Sequence, residues 1–371
     1  MKERLAQAVD FLVIGGGPAG CAFAILSARA GASVVLIERD NYKKRRPGEH
    51  LAGRVRGAID ALGVSTRDAH AISATSPGIL SLWNGRDPLA KPYGAMGQPD
   101  ALCVSRHRFD ELLFRSAQNA GATIFSRATL KHSSRASRGG WNVGIGESTG
   151  QLRAVHARSI VDASGRNATF ARSQGARRIH RGDLLAIVAW LDAPDAAPRP
   201  SAMLTVESCP SGWWSLSVGV DGTLIATLYT SSHIMKSAGV TPKTWWARAL
   251  AESGRISRTV RQSGAGLSAM GVYSAFPSRL SKISGKDWIA VGDAAVAFDP
   301  IGGQGVAYAL DTAFRAFEAA SVDPSWSELG EDYSDALIDH FDRHLDGRAH
   351  VYEEAGAVLS EPFVRYAVMP P

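Results

Sequence analysis

The sequence predicts an α/β fold that joins a parallel-sheet domain to an antiparallel-sheet domain and a C-terminal helical segment. A βαβ unit opens the chain, with a buried strand at Val9–Ile14, an alanine-rich helix at Pro18–Ala30 and a second strand at Ser33–Ile37. From about 176 to 280 the texture changes to alternating apolar and polar segments, which suit an antiparallel sheet. Residues Ser327–Gly356 follow a mostly amphipathic helical pattern.

Length and composition indicate an ordinary globular chain. Its 371 residues, 45% hydrophobic, can bury a large core and suggest two domains. The net charge of +6 favours an anionic ligand or an acidic protein partner. The basic residues do not form the aromatic-interleaved stripe of a nucleic-acid site. Three distant cysteines predict neither a disulfide framework nor a metal site. The start lacks a cleavage pattern and no window is apolar enough to span a membrane, so we expect a cytoplasmic protein.

The predicted elements divide the chain into discontinuous domains. The parallel-sheet domain should comprise residues 1–70, 101–175 and 281–325. The antiparallel domain should comprise residues 71–100 and 176–280, and residues 326–371 should form the helical segment. The remaining predicted helices are Arg54–Leu62, Phe109–Ala120 and Gly305–Ala320, and the remaining predicted strands are Ser159–Asp162, Leu184–Leu191, Met203–Glu207, Trp213–Val220, Leu224–Thr230 and Trp288–Val291.

A glycine motif follows the first strand. The sequence from Gly15 to Gly20, GGGPAG, satisfies G-x-G-x-x-G between a strand and a helix, and Glu38 ends the next strand. Gly15 allows a tight turn, Gly17 lets a pyrophosphate approach the helix N-terminus, and Gly20 lets helix and strand pack closely. Glu38 can accept ribose hydroxyls. With strand, helix and acid in register, the motif predicts a Rossmann-like dinucleotide site.

A second loop opens a later helix. Trp288–Val291 is followed by Gly292-Asp293 and then by the glycine-rich sequence from Phe298 to Val306, FDPIGGQGV. Asp293 can hydrogen-bond a ribityl hydroxyl, and N–H groups around Gly303 to Val306 can stabilise negative charge on a reduced flavin ring. The alternative is an ordinary strand–loop–helix connection.

Together these segments resemble a known superfamily. The GGGPAG motif, Arg106 to Leu113 (RHRFDELL), Val161 to Gly165 (VDASG) and the Gly292–Gly305 block are similar, in order and spacing, to group A flavoprotein monooxygenases, flavin-dependent halogenases and geranylgeranyl-reductase-like proteins. The resemblance covers most of the chain except residues 180 to 275. It implies FAD as the cofactor, in a variant of the Rossmann domain, with Arg106 near the FAD.

The expected FAD-binding residues come from both motifs and from the resemblance. They are Gly15, Gly17, Pro18, Ala19, Gly20, Glu38, Arg39, His50, Leu51, Arg106, Asp293, Pro300, Gly303, Gln304, Gly305 and Val306. No second clean glycine motif follows a strand. This is expected if NAD(P)H is the electron donor and binds only transiently, without a domain of its own.

Three details separate the branches of the superfamily. Halogenases carry a W-x-W-x-I-P motif and a dedicated lysine, whereas this chain has Gly212 to Val218 (GWWSLSV) and only Lys91 as a weak candidate lysine. The Pro47–Leu51 sequence, PGEHL, together with Phe298-Asp299-Pro300, resembles the flavoprotein maturases of glycine and lysine oxidases that carry cysteine tryptophylquinone. That resemblance implies oxygen insertion into a tryptophan of a precursor protein.

Few side chains are required for such chemistry. His50 is the first candidate for acid–base work because imidazole titrates near neutral pH, with a hydrogen bond to flavin or backbone as the alternative. Glu49 could accept from an indole N–H or pair with Arg54. Alternation puts one of Trp213 and Trp214 on the inner face of its strand. We take Trp214 as a candidate for lining the pocket, with a core role as the alternative.

Three functions remain open at this point. The chain could hydroxylate a tryptophan of an acidic precursor protein, hydroxylate or less readily halogenate a free aromatic molecule, or escort a precursor as a flavin-bound chaperone without oxidising it. Three histidines between Asp332 and Glu354 do not share one helix face, so no metal site is predicted.

Overall fold

The computed structural model describes residues 7–85, 87–194 and 202–368. In these ranges the strands are β1 (Gln7–Ile14), β2 (Val34–Glu38), β3 (His50–Leu51), β4 (Ser73–Ser76), β5 (Gly78–Leu82), β6 (Leu89–Pro92), β7 (Ala101–Val104), β8 (Thr123–Ser126), β9 (Ala128–Arg135), β10 (Trp141–Glu147), β11 (Leu152–Asp162), β12 (Arg178–His180), β13 (Leu184–Asp192), β14 (Leu204–Cys209), β15 (Gly212–Val218), β16 (Leu224–Ser231), β17 (Gly266–Ser274), β18 (Ser278–Leu280), β19 (Ser284–Gly285), β20 (Trp288–Ala290) and β21 (Val296–Ala297).

The helices of the same ranges are α1 (Pro18–Arg29), α2 (Val55–Ala61), α3 (Thr66–Ala71), α4 (Arg106–Asn119), α5 (Thr169–Ser173), α6 (Ser232–Ser237), α7 (Pro242–Glu252), α8 (Arg255–Gln262), α9 (Gly305–Val322), α10 (Leu329–Glu354) and α11 (Glu361–Phe363). None of these helices is long and apolar enough to cross a membrane.

The first sheet carries the predicted βαβ unit. Its strand order is β19-β20-β11-β1-β2-β8, and in addition β10 pairs with β11 and β9 pairs with β10. The pairs of β1 with β2 and β11, of β2 with β8 and of β11 with β20 are parallel. Strand β2 is buried throughout, as expected of a parallel strand covered on both faces. The α/β prediction for this part of the chain is confirmed.

The second sheet has the order β17-β13-β16-β15-β14-β5-β6, antiparallel except for β14 beside β5. Its two faces bury different cores. Ala186, Val188 and Trp190 pack with the C-terminal segment, whereas Ile187 and Ala189 pack in a cluster with residues of α7 and α8. This division follows from the two-residue period of a strand.

Helices α7 and α8 correct the sequence-based expectation, which assigned sheet texture to the whole of 176–280. The two helices run from Pro242 to Gln262 and begin where Thr241 caps the Thr244 N–H. Trp246 of α7 is buried against the sheet and does not belong to a strand. The short spacing of apolar residues there fits a helix face equally well.

The domain boundaries stay a proposal. We propose the division given above because β5, from residues 71–100, pairs with β14 of the second sheet, and β6 pairs with β5 at the edge of that sheet. The connection from β11 through β13 likewise passes from the first sheet to the second.

Candidate active site

The site lies where parallel strands of the first sheet end. Strand β1 ends at Ile14 before the glycine motif, β2 ends at Glu38, and β11 ends at Asp162. Strand β20 ends at Ala290, two residues before the Gly292-Asp293 turn. Carboxyl ends of parallel strands share one edge of a sheet, where α/β proteins bind their ligands. The structure therefore brings together motifs that lie far apart in the chain.

The glycine motif has one strained turn, one close contact and one open position. Gly15 has φ +110°, and a Cβ there would lie 2.3 Å from the Ala163 carbonyl oxygen. A Cβ on Gly20 would lie 1.9 Å from the Gly15 carbonyl oxygen. A Cβ on Gly17 would meet nothing within 4 Å. Gly17 is thus kept clear of protein atoms at the N-terminus of α1, as a pyrophosphate cradle requires.

Pro18 and Ala19 form the first turn of α1, where no side chain caps the free N–H groups. Pro18 at the first position has no N–H to leave unpaired. Ala19 is buried, and its Cβ faces Gly292 of the other motif. These features leave the helix end available to an anion.

Glu38 is held in place by backbone donors. Its carboxylate accepts from the Gly16 N–H at 2.6 Å and from the Asp40 N–H at 2.8 Å, and the residue is 6% exposed. Tyr42 donates to the Gly16 carbonyl oxygen from the same side. Arg39 is exposed next to Glu38. The predicted ribose acceptor is therefore fixed against the glycine loop.

Sequence reasoning missed the role of Arg46. The Arg46 side chain is only 22% exposed and pairs with Asp40 at 3.1 Å and with Asp110 at 2.9 Å. It also lies 3.8 Å from Glu38. Arg106 pairs with the same Asp110 and donates to the carbonyl oxygens of the Pro47-Gly48 segment. Arg106 thereby ties the segment before Glu49 to α4.

The second loop presents backbone groups of α9. Gly303 has φ +61°, a Cβ there or on Gly305 would meet nothing within 4 Å, and both residues are exposed. No side chain caps α9, so its first-turn N–H groups have no partner within the helix. Gln304 and Val306 flank Gly305, and Pro300 begins a short 3-10 turn. This open, uncharged helix end fits a flavin that becomes anionic on reduction.

Asp293 lies at the rim between the two motifs. Its side chain is 45% exposed, and its carboxylate is 3.6 Å from Arg166. Such exposure leaves the carboxylate free to accept from a ribityl hydroxyl. The residues present therefore fit FAD at both ends, the nucleotide end at Glu38 and Gly17 and the flavin end at Asp293 and Gly305.

A family model described as an FAD binding domain matches residues 8–319. The chain belongs to the FAD binding domain family. Its cofactor is FAD, and it is an FAD-dependent oxidoreductase. These findings confirm the predicted cofactor and enzyme class.

Relatives extend the comparison. This family member is 26% identical over 351 residues to the putative FAD-dependent oxidoreductase LodB of Marinomonas mediterranea, covering 94% of this chain and 90% of LodB. It is 28% identical over 331 residues to a tryptophan 2-halogenase of Chondromyces crocatus, covering 86% of this chain and 62% of the halogenase. The solved structure of QhpG, a peptidyl tryptophan dihydroxylase, shares the fold with TM-score 0.74 at 22% identity, covering 97% of this chain and 78% of QhpG.

Glu49 and His50 lie on the segment that Arg106 holds beside the FAD-binding motifs. Glu49 is 7% exposed, and its carboxylate accepts from the Trp190 indole N–H at 2.6 Å. Burial raises the pKa of Glu49 to about 7, with the Trp190 hydrogen bond opposing that rise. Of the two partners that the sequence suggests for Glu49, the structure shows the indole and not Arg54, which stacks on Tyr308 instead.

His50 sits in β3, with its Nε2 3.2 Å from the Ser76 hydroxyl. Burial lowers the pKa of His50 to about 4, so the imidazole is neutral at physiological pH. A neutral imidazole can accept a proton or donate one hydrogen bond but does not carry charge. The next residue, Leu51, is 2% exposed and pairs with Leu102 of β7.

The assignment of Trp214 to the pocket is wrong. Trp214 is fully buried and packs edge-on against Trp246 of α7, on the sheet face turned toward the helices. Its neighbour Trp213 takes the opposite face, stacks on Tyr229 at 3.8 Å and donates to the Tyr352 hydroxyl. Strand alternation predicts that the two indoles lie on opposite faces of the sheet. It does not predict which face packs against α7 and α8 and which packs against the C-terminal segment.

Proposed function

We propose that this flavoprotein is a monooxygenase that hydroxylates a tryptophan of a partner protein during maturation of a tryptophylquinone cofactor. The similarity to LodB extends over nearly the full length of both chains. QhpG, which shares the fold, acts on a peptidyl tryptophan and is essential for tryptophylquinone biogenesis. The proposal is also supported by the Pro47–Leu51 sequence, which Arg106 holds, and by the Phe298–Pro300 sequence before α9, since both resemble those of quinone maturases.

The observation that carries the oxygenase proposal is the Glu49 carboxyl, with its pKa of about 7. Bound FAD, once reduced by a donor such as NAD(P)H, would supply the electron pair that activates molecular oxygen. Hydroxylating an aromatic carbon also requires proton transfer, and a carboxyl that titrates near neutral pH suits that task. In this proposal Glu49 exchanges the proton, while neutral His50 provides a hydrogen bond and the surrounding buried residues exclude water.

The lysines support hydroxylation over halogenation. In the halogenases that this sequence resembles, a dedicated lysine handles the hypohalous species. Every lysine of the described residues, including the candidate Lys91 on β6, has an exposed side chain. Lys91 pairs with Ile79 at the outer edge of the second sheet. An exposed edge position cannot shield a reactive species from water.

An anionic partner is supported by a cleft of about 870 Å³ beside the site. Its lining includes Arg166, Arg172, Arg177 and Arg178 and, among the described residues, no carboxylate. Two buried nitrogens of Arg178 have no hydrogen-bond partner in the described part of the chain. A concentration of positive charge attracts acidic surfaces. We propose that this cleft, the arginine cleft, receives an acidic segment of the precursor.

The second candidate is hydroxylation of a free aromatic molecule, favoured by the 28% identity to the tryptophan 2-halogenase. NAD(P)H as the transient electron donor belongs to either proposal. In both cases the same FAD site and the same Glu49 act, and only the substrate differs.

Mass spectrometry of a tryptophylquinone-enzyme precursor, produced with this chain and under isotopically labelled oxygen gas, tests the proposal. Chloride and bromide are supplied in the same medium. We expect labelled oxygen on a precursor tryptophan, and none when the co-expressed chain is Gly17→Val. Halogen on the tryptophan would replace hydroxylation by halogenation. An unmodified precursor with a chain that is loaded with FAD and reducible would overturn the protein substrate and favour the free aromatic molecule.

A further inference from the structure

Asp299, at the start of the second FAD-binding loop, is the centre of a buried polar cluster. The residue is 2% exposed, and its carboxylate accepts from the Ile301 N–H at 2.9 Å within the loop. The same carboxylate pairs with Arg348 of α10 at 2.6 Å. The Asp299 N–H donates to Nε2 of His344, also on α10, at 3.0 Å. Both the backbone and the side chain of Asp299 are therefore fixed by the C-terminal helix.

Arg348 continues the cluster to the end of the described chain. Its side chain is 3% exposed. It donates to the Val368 carbonyl oxygen at 2.8 Å and to the Ala367 carbonyl oxygen. All three donor nitrogens of Arg348 thus have acceptors, and the arginine joins the loop to the residues that follow α11.

Tyr352 links the cluster to the antiparallel sheet. Its hydroxyl lies 3.3 Å from both carboxylate oxygens of Asp299 and accepts from the Trp213 indole at 2.9 Å. Trp213 belongs to β15 and lies on the face of the second sheet that packs against the C-terminal segment. One carboxylate therefore connects the FAD-binding loop, the C-terminal helix and the second sheet.

A buried ion pair is weak evidence for stability, because desolvation of the two charges offsets their attraction. What such a cluster does provide is a single loop geometry. Asp299 lies shortly before Gly305, where α9 presents its free N–H groups. We propose that Asp299 is a positioning residue, held by Arg348 and Tyr352, that sets the direction of these N–H groups toward FAD and so favours the reduced cofactor.

The test compares Asp299→Asn with a matched control, Asp287→Asn. Asp287 is also a buried aspartate paired with one arginine, Arg135, but it lies before β20, at the end of the strand away from Gly292. Its φ of +58° suits asparagine. Affinities of each variant for oxidised and reduced FAD are measured by titration of the apoprotein, together with the visible spectrum of bound FAD and the thermal unfolding midpoint.

We expect Asp299→Asn to lose about tenfold more affinity for reduced than for oxidised FAD, the size expected when a helix N-terminus is turned from a negative charge. The visible spectrum of its bound FAD should also shift. Asp287→Asn should lower the unfolding midpoint but leave the affinity ratio and the spectrum unchanged. Tyr352→Phe, which removes only the hydroxyl, should shift the ratio in the same direction by a smaller factor.

If Asp299→Asn does not fold, the outcome rests on Tyr352→Phe and on Arg348→Lys. An unchanged ratio of the two affinities in whichever of these variants fold would overturn the proposal and leave the cluster a structural one. None of these measurements involves the substrate. They therefore stand whether the substrate is a protein or a small molecule.

Discussion

Trp190 of β13 donates its indole N–H to the Glu49 carboxylate across 2.6 Å, although 141 residues separate them in the chain. The contact joins the segment beside the FAD-binding motifs to the face of the second sheet that packs against the C-terminal segment. Besides this indole, the backbone N–H groups of Gly48 and Glu49 and the charge of Arg106 also favour the ionised carboxylate. Burial outweighs these contributions and raises the pKa of this carboxyl to about 7.

Glu49→Gln should change how stability depends on pH. The folded-state pKa of Glu49 is about 7, against 4.5 for an exposed carboxyl. The contribution of Glu49 to the free energy of unfolding is therefore full below pH 4.5 and is lost as pH rises to 7. Burial lowers the pKa of His50 to about 4, so the contribution of His50 makes the free energy of unfolding rise as pH increases from 4 to 6.5. In the Glu49→Gln variant this rise is no longer offset, and the free energy of unfolding should increase by about 3 kcal/mol between pH 4 and 6.5. Urea unfolding at several pH values measures it.

His50→Ala is the complementary change. With the imidazole gone, the free energy of unfolding should fall by about 3 kcal/mol as pH rises from 4.5 to 7, because only Glu49 of this pair then titrates in this range. FAD should stay bound while turnover is impaired. The double variant serves as the control and should show neither slope. Identical pH profiles in wild type and both single variants would remove these two groups from the titration.

Turnover of the Glu49→Gln variant should fall without loss of FAD. The amide keeps the volume and can still accept from Trp190, but it cannot exchange a proton. Single-turnover hydroxylation, followed with FAD fully reduced, separates this step from cofactor binding. Wild-type rates in the variant would contradict a proton-transfer role for Glu49.

Gly17→Val should fold and fail to retain FAD. Valine can adopt the φ of −76° found at Gly17, and no protein atom lies within 4 Å of its Cβ position, so only the cofactor is obstructed. Gly20→Val is the contrast, since its Cβ would lie 1.9 Å from a backbone oxygen. That variant should lose stability itself. Purified Gly17→Val that remains fully yellow, by absorbance, would show that the pyrophosphate does not pass Gly17.

Arg172→Glu together with Arg177→Glu should weaken binding of an acidic precursor. Both side chains are exposed on the arginine cleft, so the fold and the FAD site should be unaffected. We expect binding to fall at least about tenfold and its dependence on salt to decrease. The control is Lys236→Glu together with Lys243→Glu. These lysines are exposed on α6 and α7, so the control makes the same change of net charge away from the arginine cleft. Equal losses in the two pairs would indicate a net-charge effect and no docking at the cleft.

Much of the cofactor domain could be predicted because its signals are local. A strand, a glycine-rich turn and a helix follow one another within a few residues. This local pattern identified the βαβ unit and the loop at Gly303, where the structure has glycines with positive φ. The acid at the end of β2 follows from the same short unit. These predictions depend on backbone conformation, which the local sequence constrains strongly.

The FAD-binding motifs and the fold class thus follow from the amino-acid sequence alone. The face of β15 that meets the C-terminal segment does not, and it is packing that joins Trp213 to Tyr352 and places Trp214 under α7. Packing likewise pairs Arg46 with Asp110 and Asp299 with Arg348. Strand alternation and charge are visible along the chain. The partner of a buried side chain is set by contacts between distant elements, and no local pattern encodes it.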